Sequence, residues 1–161
     1  MHGIDTSRMT PKDNIPNEGI IAKYLGEANA YLAAQPWMSR IEDTFLDREM
    51  SGKVAVFFFE IAVTKLCPDS GIWVIVGDIP PAFIDIAHCK NGAQALLSYC
   101  YNMAEWVYAV DDNKSVDKLI PVVYHGTFRP VDPAEVFASF LWDRIDMIRN
   151  SVMSEFAAEI K

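Results

Sequence analysis

The chain has 161 residues, 51% of them hydrophobic and 22% charged, and its 22 acidic against 14 basic side chains leave a formal net charge of −8. That length suits one compact domain able to fold without disulfides or metals, and the apolar content excludes global disorder. The negative charge repels phosphate, which argues against a nucleic-acid or anionic-membrane binder and is compatible with a basic protein partner.

Residues 1–15 mix polar residues, Gly and Pro without periodicity, so they are expected to be a flexible N-terminal arm, with 16–161 as a single domain. From Pro16 to about Ala34, Ile20, Ile21, Tyr24, Leu25, Ala28, Tyr31 and Leu32 recur at three and four residues, predicting an amphipathic helix that ends near Pro36. Residues 37–52 carry both a helical turn (Ile41, Phe45, Leu46) and strand formers, so helix and strand both stay open there. Val54 to Val63 is rich in β-branched and aromatic residues and predicts a strand buried on both faces. The turn cluster Pro68-Asp-Ser-Gly71 leads into a second strand, Ile72 to Val76, and Ala82 to Ala87 reads as a third, at an edge because Pro80 and Pro81 cannot join a ladder and Asp85 protects an exposed rim. These three strands should form an antiparallel meander.

The period then changes. Asn91 is a good N-cap, and Ala93, Leu96, Leu97, Cys100, Met103, Ala104 and Val107 make a helical stripe over 92–110. Asp111-Asp-Asn-Lys114 ends it, and Ile120 to Tyr124 reads as a brief extended segment. In the last element Asp132 is placed to cap, Pro133 to occupy the first turn and Glu135 the third position of a helix running nearly to the C-terminus. The expected fold is α+β: an antiparallel sheet of three or four strands, one face packed by the helices at 92–110 and 133–160, with the 16–34 helix closing a side.

Chemical motifs are sparse. Met1 to Glu18 lacks the apolar core of a signal peptide, and no stretch reaches the roughly 18 apolar residues of a membrane span, so a soluble, cytoplasmic protein is expected. Cys67, Cys89 and Cys100 match no zinc or redox spacing and read as reduced, structural thiols. His88 beside Cys89 reads as a partly exposed strand-end histidine, since neighbours on a strand point to opposite faces. No phosphate-binding glycine loop, metalloprotease helix or nucleophile elbow occurs, so no cofactor and no metal are expected. His125 could work with Asp78 or Glu60 as an acid–base group if the fold brought them together. Glu60, inside an apolar strand, either faces solvent or an ion-pair partner, or is buried and becomes a site candidate.

The unit Trp73-Val-Ile-Val-Gly-Asp-Ile-Pro80 fits a W-V-x-x-G-D-[LI]-P pattern. Over residues 20–110 the chain resembles a group of small bacterial proteins known only as a domain of unknown function, and that resemblance implies a cytosolic α+β protein with no catalytic residues to carry over. Each residue of the unit also has a structural reason, Gly77 for a positive φ and Asp78 for its turn.

Four tryptophans and six tyrosines are a generous aromatic complement, and Trp and Tyr are favoured interface anchors. Tyr101 and Tyr108, seven residues apart, share a helix face distinct from the core stripe, and Asp111 and Asp112 follow them. Together these features favour a protein-binding module with a basic partner, such as an immunity protein that neutralises a bacterial toxin. The alternatives are a small hydrolase using His125 with Asp78 or Glu60, and a structural homodimer through the third strand or the tyrosine face.

Overall fold

The computed structural model describes residues 2–160. Side-chain alternation organises it. In β3 (Val54–Ile61), Val54, Val56 and Phe58 enter one core while Ala55, Phe57, Phe59 and Ile61 enter another. Val54 to Phe59 are apolar without a break, so this stretch must be covered on both faces, and it is. It pairs antiparallel with β4 (Gly71–Gly77), which pairs with β5 (Ala82–Ile84), giving the expected meander with β5 at the edge. Phe58 and Trp73 lie directly opposite with ring centroids 4.9 Å apart, and the Trp73 indole N–H donates to the Cys89 carbonyl. Gly77 takes φ +138°, and a Cβ there would run into the Lys53 carbonyl oxygen, so the close approach of these two strand ends requires glycine.

The α+β class stands, with the sheet larger than expected: five strands, lying side by side in chain order, rather than three or four. The open segment became β2 (Ile41–Met50), joined to β3 through Ser51 and Gly52, both at positive φ. Its irregular pairing explains the mixed sequence signal. The register shifts between Leu46 and Arg48, so Asp47 is extra, and both Asp47 and Arg48 reach the same side of the sheet. Of residues 1–15, expected as an arm outside the fold, the described ones supply β1 (Thr10–Pro11) on the outer edge of β2 and bury Ile4, Met9 and Ile15. Three separated apolar side chains gave no period to detect.

Helix α1 (Ile20–Ala33) begins after Gly19, four residues later than expected, and covers one face of the sheet with Tyr24, Ala28, Tyr31 and Leu32. Rather than closing a side, it forms the layer opposite α2 (Gly92–Asp111), so the sheet is enclosed between helices. Asn91 caps α2 as expected, its Oδ1 accepting from the Gln94 N–H at 2.9 Å. The helix ends in a Schellman arrangement: Asn113 is at φ 55°, its N–H donates to the Val110 carbonyl, and the Lys114 N–H donates to the Ala109 carbonyl. Helix α3 (Glu135–Glu155) runs antiparallel along α2. Asp132 does not cap it. The Val131 N–H pairs with the Val122 carbonyl and Val123 bridges Pro130, which holds the chain extended past Pro133, and Ala134 becomes the N-cap. A 3-10 turn, Ala157–Ile160, closes the C-terminus against the start of α2. Among the described residues no helix is long and apolar enough to cross a membrane.

Candidate functional site

Two surfaces hold the site candidates other than Glu60. The first is a cleft of about 620 Å³ lined by Lys23, Tyr24, Glu27, Gly77, Asp78, His125 and Gly126. His125 is carried on a loop that turns at Gly126, with φ +76°, and docks on α1 through Phe128, whose ring meets Tyr31 edge-on at 5.4 Å. Its Nδ1 lies 2.8 Å from Glu27 Oε1. That contact leaves Nε2 for the cleft. The Tyr24 hydroxyl donates to the Gly52 carbonyl, and burial, followed by the charges of Glu27, Asp78 and Glu49, raises its pKa.

Asp78 lines the same cleft and is held by Arg144 of α3 at 2.6 Å, the guanidinium also donating to the Asp78 carbonyl. Glu60 is elsewhere. It sits opposite Gly71 whereas Val54 sits opposite Gly77, so six residues of strand, roughly 20 Å, separate it from the cleft. Its carboxylate is half-buried with the His2 Nε2 at 3.6 Å. The structure thus places His125 and Asp78 on one cleft, pairs each with a different partner, and leaves Glu60 at the far end of the sheet. Glu27, the partner His125 takes, lies 98 residues away in the chain and gave no sequence signal. The lining contains neither serine nor cysteine. Cys100 is buried and its thiol is pushed up to about 12 by burial, and burial also raises Cys89, so neither is an activated nucleophile. His88 is exposed on the loop after β5 rather than at a strand end. Among the described residues no three His, Cys, Asp or Glu side chains are grouped to hold a metal ion.

The second surface is the groove between α2 and α3. It has two compartments of about 430 Å³ each, one reaching from Leu97 and Tyr101 to Trp142 and Met153, the other from Tyr108 and Trp142 to Asp111 and Glu135. The Tyr108 and Trp142 rings, 5.6 Å apart, line both. Tyr101 is 72% exposed and Tyr108 55%, while Met153 adds exposed apolar surface across the groove. Their i,i+7 spacing placed both tyrosines off the core stripe, and the structure leaves them there. Trp142 is one of the four tryptophans read as surplus anchors, whereas Met153 gave no signal, although eleven residues, three helical turns, separate the two along a second stripe of α3.

Charge is unevenly distributed around this groove. The two arginines of α3 are already engaged, Arg149 with Asp146 at 2.8 Å and Arg144 with Asp78. Glu105, Asp111, Asp112 and Glu135 are exposed and have no ion-pair partner among the described residues. Comparison with protein-family models, curated proteins and solved structures gives no match.

Proposed function

We propose that the chain is an acidic protein-binding module for a basic protein partner, of the kind in which an immunity protein neutralises a toxin in the bacterial cytoplasm. One observation carries this proposal: exposed aromatic side chains lie beside carboxylates that folding does not use. Asp111 is the last residue of α2 and Asp112 its C-cap. Carboxylates at a helix C-terminus meet the negative end of the dipole and cost about 0.3–1 kcal/mol each. Their benefit must come from outside the fold, and a cationic surface would supply it. Tyrosines beside them give such an encounter apolar anchors at small entropic cost. The likeness of the Trp73–Pro80 unit to a domain of unknown function adds no activity, because that unit serves the sheet.

The test is co-expression with the product of a neighbouring reading frame, followed by association kinetics across ionic strength. A stoichiometric complex whose on-rate falls steeply with salt is expected. A salt-indifferent association, or none, contradicts the proposal.

A second reading, a small hydrolase, rests on His125 and Asp78 sharing a cleft, with Glu27 orienting the imidazole so that Nε2 can take a proton from water. It predicts slow hydrolysis of an activated ester such as p-nitrophenyl acetate that His125→Ala abolishes. Equal rates for the two proteins would end it.

A further inference from the structure

We propose that the α2–α3 groove receives an amphipathic helix of the partner, with an aliphatic stripe on the groove floor and lysine or arginine at the end nearest Asp111 and Asp112. This deepens the binding-module proposal and rests on it.

Backbone chemistry selects a helix. The groove is walled by two helices whose peptide groups are already paired internally, so an extended segment would find no ladder to join, whereas a helix brings its own backbone satisfied. Dimensions agree. From Leu97 to Asp111 the α2 wall is 14 residues, about 21 Å or four helical turns at 1.5 Å per residue. The opposite wall, from Ala138 to Met153, has similar length. Between them Ala104 and the buried Cys100 keep the floor low beside Leu97 and Ile145, which leaves depth for aliphatic knobs such as leucine. Ile160 closes the end near Leu97 and Met153, so an entering helix is stopped there.

Electrostatics sets the sign and direction. Arg149, the one cation lining the groove among the described residues, is neutralised by Asp146, while Glu105 has no ion-pair partner among them along the α2 wall. At the open end Asp111 and Glu135 line the groove, Asp112 follows, and the α2 carbonyl terminus adds its partial negative charge. Lys114 is the cation nearest them in the chain, and it stands beyond the helix end. A partner helix carrying its basic residues at this end gains from all of these charges at once.

The probe is a labelled amphipathic peptide of about four turns built from leucine and lysine, with a scrambled peptide of identical composition as its control. Binding is read by fluorescence anisotropy. The amphipathic peptide is expected to bind saturably, the scrambled one at least about tenfold more weakly, and Tyr101→Ala/Tyr108→Ala to lose about tenfold of the affinity. Both tyrosines are exposed, so an unchanged melting curve verifies the fold of that variant, and Tyr108→Phe should retain binding. Equal, salt-sensitive binding of the two peptides would overturn the groove and leave the acidic-surface proposal standing. Absence of binding by either would overturn both. Sedimentation showing a dimer that Tyr101→Ala/Tyr108→Ala dissociates would make a second copy of this chain the occupant, and that too would overturn the inference.

Discussion

The two ends of α2 are built on opposite terms. At the N-terminal end side chains from three parts of the chain are tied into one network. Asn91 caps the helix and donates to the Glu159 carbonyl, Gln94 donates to the same oxygen, and Asp47 accepts from Gly92 at the first turn. Arg48 ties this end together, bound to Asp47, forked onto both Glu159 carboxylate oxygens at 2.8 and 3.0 Å, and lying over the Phe156 ring. At the C-terminal end, Asp111 and Asp112 stand exposed and unpaired among the described residues, with Tyr108 beside them. One end therefore serves stability, and the other carries charge that opposes it. The proposed partner binding accounts for this contrast by using the end where folding loses.

Breaking the satisfied end should produce the largest effect. Arg48 and Asp47 side chains are only 12% and 8% exposed, so Arg48→Ala leaves a buried carboxylate unpaired and should cost about 3 kcal/mol by urea denaturation. A loss below 1 kcal/mol would mean that water replaces the guanidinium. Next comes Gly92→Ala, whose Cβ would meet the Asp47 carboxylate; a cost of about 1–2 kcal/mol is expected from the forced shift.

Acid should act on the same end in a defined direction. Hydrogen bonds from Arg48 lower the Glu159 pKa, so its contribution is present above the ordinary carboxylate range and lost as pH falls through the lowered value. Asp47 is raised by burial against the pull of Arg48, so it opposes that trend and is relieved in acid. Glu159→Gln should therefore cost about 0.5–1 kcal/mol at neutral pH, discounted for its partial exposure, and nothing near pH 2. The same loss at both pH values would show that the carboxylate charge is irrelevant to the latch.

How much of this was legible follows from distance along the chain. The β3–β4–β5 meander and α2 could be read because each announces itself locally, by an unbroken β-branched and aromatic run or by a 3.6-residue stripe. β2 could not, since Glu42, Asp43, Asp47 and Glu49 hide its period and pairing with β3 decides its state. Arg48 and Glu159 are 111 residues apart, and His125 and Glu27 are 98 apart. Neither pair leaves a trace in sequence spacing. The tyrosine face, by contrast, was visible because both residues sit on one helix, and its carboxylates were visible as the Asp111-Asp112 end signal.

The stability change at the exposed end has the opposite sign and is the most informative. Neutralising the exposed end with Asp111→Asn/Asp112→Asn removes repulsion with the α2 carbonyl terminus and should raise stability by about 0.6–2 kcal/mol. The direct measurement is the stability of this double variant and its affinity for the amphipathic leucine–lysine peptide, made on the same preparation. A more stable protein that binds the peptide several-fold more weakly is the predicted result. A variant that is less stable, or that binds the peptide unchanged, would contradict the claim that these carboxylates serve a partner at the expense of the fold.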